Sequence, residues 1–577
     1  VAIHNNDIAA IFEEIADLLE IKGDNPFRVR AYRMAALALR DLGFEVADLI
    51  QRGEKLPRIK GIGEDLAKKI EEIVRTGTSK KREELRKEIP PGLLELLEIP
   101  GLGPKRVKLL YDELGVKDRS DLQKVVSEGK LQKIKGFGPK LEEEIARALT
   151  KKSLEEKRFL LSVATQYAEG YIKYLKEQGG VHEVVACGSY RRRKETVGDL
   201  DLLCTVKTGK EKATSSAFVH YDEVAEVLSQ GETRSSVILR SGIQVDLRIV
   251  HPQEFGSALH YFTGSKAHNI AVRQLGVERG LKVNEYGVFH KEERIAGDTE
   301  ESVFASVGLP WIPPELREDR GEIESAKRGT LPKLVELKDI RGDLHTHSTY
   351  SDGRSTILEM AESARTRGLE YIAITDHSSR MGITRGVDGK KLRQLCEEID
   401  RLRENNPGIY LLKGIEVEIL EDGSLDLPDE VLKELDLVIG AVHSHFGLSR
   451  EKQTKRILKA MDHRYFTILA HPTGRLLLER DPYEVDLERI IHHARERGVY
   501  LEINAQTSRL DLNDIAIRMA KEAGVLLVVS SDAHSPYDFA KLSFGVDQAR
   551  RGWLEAKDLI NTRPLPELIK LLEKTRL

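Results

Sequence analysis

After residue 340 the chain repeatedly ends a strand-like apolar run with a histidine or a carboxylate. These are His345 and His347 in Asp-Leu-His-Thr-His-Ser, Asp352 in Tyr-Ser-Asp-Gly, His377 in Thr-Asp-His-Ser, Glu416 in Gly-Ile-Glu-Val-Glu, His443 in Val-His-Ser-His, His471 in Ala-His-Pro, and Asp532 with His534 in Ser-Asp-Ala-His-Ser. The runs include Tyr371 to Thr375, Leu437 to Val442, Phe466 to Ala470 and Val525 to Ser531. In a barrel of alternating strands and helices, strand ends of this kind meet at one rim. His345 and His347, two apart, share a face if they lie on a strand. A lone buried histidine is most often a hydrogen-bonded core residue, but six of them with three acids, all at strand ends, form a metal site. Zinc and manganese accept this mix of imidazole and carboxylate, and more than four donors call for more than one ion. Ions a few ångströms apart activate water, hold a phosphate oxygen and stabilise a leaving oxygen, so phosphoester hydrolysis is the expected chemistry.

A second constellation lies upstream. His182 to Cys187 reads as a strand, Gly188-Ser189-Tyr190-Arg191-Arg192-Arg193 follows, and Val197-Gly198-Asp199-Leu200-Asp201-Leu202 reads as another strand. Asp199 and Asp201 project from one face while Leu200 and Leu202 enter the core. Asp246 sits in the alternating run Ile243 to Arg248. If these strands are neighbours, three carboxylates share a small volume, which divalent cations make tolerable. The alternative is that they are surface acids on the polar face of a sheet. Gly188 and Ser189 can wrap a triphosphate with backbone and hydroxyl donors, and Arg192 can clamp it.

Other segments position and supply these sites. Ile59-Lys60-Gly61-Ile62-Gly63, Ile99-Pro100-Gly101-Leu102-Gly103 and Ile134-Lys135-Gly136-Phe137-Gly138 form an internal repeat, each copy preceding a basic helical pattern. They look like helix-hairpin-helix elements, whose glycines let backbone N–H groups approach phosphate oxygens. One copy alone reads equally as a helix cap, whereas three predict sequence-independent DNA binding through Gly61, Gly63, Gly101, Gly103, Gly136 and Gly138. At 577 residues the chain exceeds a single core. It has no long apolar run that could span a membrane. Its polar N-terminus and three scattered cysteines, Cys187, Cys204 and Cys396, point to the cytoplasm. The net charge of −4 averages over domains, so an acidic metal domain can mask basic grooves.

Through all nine C-terminal positions, the segment from about Ile340 resembles the PHP (polymerase and histidinol phosphatase) family. The resemblance implies a distorted barrel with up to three ions. The stretch around Gly-Ser-Tyr-Arg-Arg, the Gly-Asp-x-Asp pair, Asp246 and Tyr261-Phe262-Thr263-Gly264-Ser265 resembles the family X DNA polymerases. That resemblance covers residues 1 to about 315. It implies that Asp199, Asp201 and Asp246 hold two magnesium ions, with Asp246 helping to activate the primer 3′-hydroxyl. It also implies that Gly188, Ser189, Arg192 and Gly198 handle the triphosphate, and that Tyr261, Phe262 and Gly264 form the wall beside the sugar. Asn269 and Arg273 occupy positions where the family touches the new base pair, and Asn284-Glu285-Tyr286 matches its C-terminal subdomain. Arg193 replaces a frequent glycine and is expected to face solvent. Lys69 matches the lysine with which some members cut a 5′-deoxyribose phosphate, but Asp65 and Arg28 replace lysines of that pocket, which weighs against lyase activity.

These readings together predict a multidomain protein. It comprises helical helix-hairpin-helix N-terminal domains at 1–90 and, fingers-like, at 91–155, and an α+β nucleotidyltransferase palm at 156–250 with a thumb at 251–317. A linker at 318–340 leads to a C-terminal distorted α/β (TIM-like) PHP barrel at 341–577. The expected function is that of a cytoplasmic, monomeric DNA-repair polymerase. It would fill short gaps in gapped or primer-template DNA from dNTPs with Mg2+, and its barrel, using Zn2+ or Mn2+, would act as a 3′→5′ exonuclease that also cleaves at abasic sites. The alternatives are that the barrel is a small-molecule phosphatase or a metal-stabilised structural module.

Overall fold

A computed structural model describes residues 3–575 except 41, 43–44, 58, 60, 98, 100, 132–133, 135–136, 139–140, 143–144, 147–148, 150–156, 379–385 and 406–407. The chain divides into two compact units, 1–157 and 158–577.

The first unit is helical. Its first helix, Asn5–Lys22, places Ile8, Phe12, Ile15 and Leu19 on one stripe, all buried. The three repeats share one backbone hydrogen bond. Ile62, Leu102 and Phe137 donate their N–H groups to the carbonyls of Ile59, Ile99 and Ile134 at 3.1, 2.9 and 3.1 Å. Gly61 and Gly101 both take a φ of +85°, a conformation that favours glycine. Gly63 and Gly103 cap the helices Glu64–Thr76 and Pro104–Leu114. Gly138 accepts from Glu142 as a third helix starts, and Gly136 lies outside the described residues. The first four N–H groups of a helix have no partner within it, so the turns capped by Gly63 and Gly103 present donors without side-chain bulk.

In the second unit, a five-stranded sheet forms the palm from β1 (Val181–Ala186), β2 (Asp199–Val206), β3 (Val224–Gln230), β4 (Arg234–Leu239) and β5 (Gln244–Val250), in the order β1-β2-β5-β4-β3. The central pair β2 and β5 is parallel, with Asp201 opposite Asp246. The alternation expected of β2 holds: Leu200 and Leu202 join the buried core that packs on helix Leu161–Lys176. The thumb follows, with helices Phe255–Thr263 and Lys266–Glu278 and a three-stranded antiparallel sheet of β6 (Leu281–Asn284), β7 (Gly287–His290) and β8 (Glu293–Ala296).

The stretch expected as a linker is instead packed. Helix Glu322–Lys327 buries Glu322, whose carboxylate accepts from His268 Nδ1 at 2.7 Å. Arg550 donates to Glu315 at 2.7 Å. Just before it, the fully buried Arg317 donates to Glu300, which also accepts from Arg191 at 2.8 Å and from the Trp311 indole at 3.0 Å. These pairings join the stretch to neighbouring elements of the same unit.

Seven parallel strands build the barrel among the described residues: β9 (Gly342–Thr346), β10 (Tyr371–Ile374), β11 (Tyr410–Glu418), β12 (Leu437–Ala441), β13 (Ile468–Leu469), β14 (Tyr500–Asn504) and β15 (Leu527–Ser530), paired in sequence order. The His347 N–H donates to Ala533 O at 2.8 Å, closing β9 against the end of β15. Along each strand one set of residues faces the helices, as Ile372, Ile415 and Leu501 do, and the alternate set packs with Leu568 and Leu572 of the C-terminal helix Leu565–Lys574. The second set contains Tyr371, Leu412, Leu437, Tyr500 and Val528.

Because Arg317 and Arg191 share Glu300 out of water, Glu300→Ala strands both cations. We expect it to lower stability to urea unfolding by about 3–5 kcal/mol, with Glu301→Ala on the exposed side of the same helix within about 0.5 kcal/mol of wild type.

Candidate active sites of the palm and the barrel

The palm site grows from strand register. Asp199 and Asp201 leave β2 on one face, and the parallel pairing sets Asp246 beside Asp201. Asp246 is oriented at both oxygens, by the Ser236 hydroxyl and by Gln244 Nε2 at 3.0 Å. Burial, reinforced by the charges of Asp199 and Asp246, pushes the Asp201 carboxyl up to about 7. That is the crowding divalent cations relieve. Gly188, at a φ of +61°, comes so close to Asp201 that a Cβ there would lie 2.7 Å from its Oδ2. The Cys187 N–H donates to Asp201 O at 2.7 Å, fixing the turn that presents Ser189 and Arg192. Gly198 joins the two-residue strand Thr196–Val197 to β2. Asn269 Nδ2 donates to the Tyr261 carbonyl at 2.7 Å, holding the half-exposed Tyr261 edge-on to Phe262. Asn269, half-buried, and Arg273, exposed, lie four apart on one helix and share a face.

The three arginines of the loop part company. Arg191 serves the Glu300 pair and Thr263. Arg192 donates from Nη1 to Thr263 O at 2.6 Å and from Nε to Glu318 at 3.1 Å. Arg193, expected in solvent, instead lies over the Tyr190 ring at 5.3 Å and 3.7 Å from Asp547 of the barrel. Its φ of +56° explains why glycine suits that position. In the first unit, Lys69 Nζ lies 2.7 Å from Asp65, whose carboxyl this hydrogen bond holds below its usual range.

In the barrel, period two continues upward from the apolar floor. Leu412 leads to Glu416, Leu437 to His443, Tyr371 to His377 and Val528 to Asp532. A register shift between Asp343 and Thr346 breaks the alternation in β9, so that Leu344 joins the floor while His345 also turns inward. All nine sequence-derived residues converge. Three overlapping groups offer ligand atoms within 4.8 Å of one another: His347, Asp352, His377 and His534; His345, His347 and Asp532; and His377, Glu416 and His443. His471 Nε2 reaches Glu416 Oε1 at 3.1 Å. His345 Nε2 and Glu416 Oε2 are buried without a hydrogen-bond partner, 3.4 Å apart. Aligned donor atoms left unsatisfied in this way fit cations.

Two carboxylates behind the cluster escaped sequence reading. Glu502 accepts from His345 Nδ1 at 2.6 Å and from the His471 N–H at 2.7 Å, and Glu418 accepts from His443 Nδ1 at 2.9 Å. Both leave Nε2 aimed at the cluster. A glutamate inside the otherwise apolar Tyr500-Leu-Glu-Ile was the available signal. Burial disfavours charge on His443, but Glu416 and Glu418 outweigh it and raise the imidazole to about 9. His347, buried and facing His534 and His377, is pushed down to about 4.

The comparisons with known proteins follow this anatomy. Family models match a helix-hairpin-helix domain at 3–79, a SAM-like helix-hairpin-helix tandem at 93–151, a DNA polymerase beta palm at 164–244, a DNA polymerase beta thumb at 258–318 and a PHP domain at 343–506. A Bacillus subtilis protein named DNA polymerase/3′-5′ exonuclease PolX is 39% identical over 576 residues, covering 99% of this chain and 100% of its own. The chain is a family X DNA polymerase with a PHP domain. Within that family X chain, shorter stretches also match proteins named "probable phosphatase". One from Thermoanaerobacter sp. (strain X514) is 34% identical over 233 residues, 38% of this chain and 89% of its own. One from Acetivibrio thermocellus is 30% identical over 210 residues, 34% and 81%. No helix among the described residues of this polymerase is long and apolar enough to cross a membrane.

If Glu502 orients His345, Glu502→Gln weakens manganese binding about 10–100-fold. Titration calorimetry on chelator-treated protein measures this, with an unchanged circular dichroism spectrum as the control.

Proposed function

We propose that the protein fills short gaps in DNA from dNTPs at the palm and removes nucleotides from 3′ ends at the barrel, with cleavage at abasic sites a further reaction of the barrel. Asp201 and Asp246 side by side against the Gly188 turn carry the first half of this reading, and the full-length likeness to the Bacillus subtilis enzyme supports both halves.

The residues divide the work. Asp199, Asp201 and Asp246 hold Mg2+, and Asp246, fixed by Ser236 and Gln244, helps accept the proton of the primer 3′-hydroxyl. Ser189, Arg192 and the Gly188 and Gly198 backbone bind the triphosphate. Tyr261, Phe262 and Gly264 border the sugar, while Asn269 and Arg273 face the nascent pair. The hairpins at Gly61, Gly101 and Gly138 grip backbone phosphates without reading bases. In the barrel the three overlapping donor groups match up to three ions of Zn2+ or Mn2+. Bound there, such ions activate water and stabilise the leaving oxygen. Glu502 and Glu418 hold the imidazoles in register. The three free, buried cysteines suit a reducing cytoplasm, and the protein acts as a monomer.

On a labelled one-nucleotide-gapped duplex with manganese, Asp199→Ala with Asp201→Ala should lower synthesis on the order of a thousandfold and spare 3′-shortening. His345→Ala with His347→Ala should do the reverse. Loss of both activities in either folded variant would refute independent sites. The shorter relatives named probable phosphatases favour a second reading, in which the barrel prefers small phosphate monoesters. Faster turnover of p-nitrophenyl phosphate than of a DNA 3′ end would select it.

A further inference from the structure

The triphosphate loop of the palm does not stand alone. The barrel holds it at three points. Arg475, four residues beyond His471, donates to Glu195 at 2.7 and 3.1 Å. Asp547 lies 3.7 Å from Arg193. Arg551, at the end of barrel helix Leu542–Arg551 and only 5% exposed, donates to the Arg192 carbonyl at 2.7 Å and to Glu318 Oε1 at 3.0 Å. The same Glu318 oxygen accepts from Arg192 Nε at 3.1 Å. Arg551 also donates to Asp514 at 2.6 Å, which Arg320 approaches at 3.0 Å.

One carboxylate oxygen is therefore shared by two arginines, one from the palm and one from the barrel. Burial raises the Glu318 carboxyl, but Arg192 and Arg551 together bring it below its usual range, so the group is ionised. A buried carboxylate facing a single arginine would neutralise it and compete with an incoming phosphate. Sharing it with Arg551 leaves Arg192 with net charge to offer, while the hydrogen bonds to Glu318 and Thr263 keep its guanidinium in place. We infer that Arg551 of the barrel is a positioning residue for the polymerase reaction, which keeps the Arg192 guanidinium available to the dNTP triphosphate by sharing Glu318.

This rests on the reading of Arg192 as a triphosphate ligand, and the test separates the two. In steady-state gap filling by the full chain, Arg551→Met should raise KM for dNTP about tenfold, the effect of losing one charge-assisted contact. The kcat and the KM for gapped DNA should stay within about twofold. Asp514 keeps Arg320 and Glu318 keeps Arg192, so this variant leaves no carboxylate without a partner. Adding Glu318→Gln removes the unshared charge and should return KM for dNTP to within about threefold of wild type. A purely structural role for Arg551 predicts no such rescue, and its absence would overturn the inference. An unchanged KM in folded Arg551→Met would overturn it as well. Glu318→Gln alone should give a KM at or below wild type, and a rise would count against the sharing even if Arg551→Met failed to fold. Arg192→Ala completes the set. If it leaves KM for dNTP unchanged, the triphosphate reading itself fails and the inference with it; if it raises KM while Arg551→Met does not, only the coupling fails.

Discussion

Much of the 158–577 unit hangs on one carboxylate. Glu300 sits between Arg191 of the palm loop and the fully buried Arg317, and takes the Trp311 indole N–H as well. A single carboxylate with two guanidiniums is stable in a dry environment only when every partner is present and aligned. Its effect is to tie three sequence regions to one point: the turn after β1, the start of the helix Glu300–Ser306, and the run into the barrel. Burial is what gives the arrangement directional force, since the same ions on the surface would contribute little. The neighbouring pairs Glu322 with His268 and Glu315 with Arg550 extend the principle toward the barrel.

This explains how a sequence stretch rich in charge becomes an ordered connection. Charged residues are normally found outside, so the burial of Glu315 and Glu322 is not visible in composition. Whether they pair is decided by partners far along the chain, such as Arg550 and Arg551, which local reading does not reveal. Arg193 is the same case at one residue. Its replacement of glycine is visible in sequence, but the stacking on Tyr190 and the approach to Asp547 belong to the tertiary structure.

What was legible had a local period or a motif behind it. The Asp199 and Asp201 spacing set both on one strand face, and most of the nine clustered barrel residues stood out because they follow apolar runs. The three glycine turns were readable from their repetition. Glu502 and Glu418 were not singled out because they act through histidines contributed by other strands, and strand neighbours do not follow from spacing. The β9 irregularity likewise has no local sequence cue, although it is what lets Leu344 and His345 both turn into the barrel.

The closure of β9 on β15 also bears on the order of assembly. His347 and Asp532, which face each other at 3.1 Å, are 185 residues apart. Contacts of such sequence separation form late, after the intervening loop entropy has been overcome. Two of the three donor groups combine His345 or His347 with Asp532 or His534, so an ion held by either would favour the closed chain over a partial barrel. A cation bound there would latch the first and last strands together by mass action.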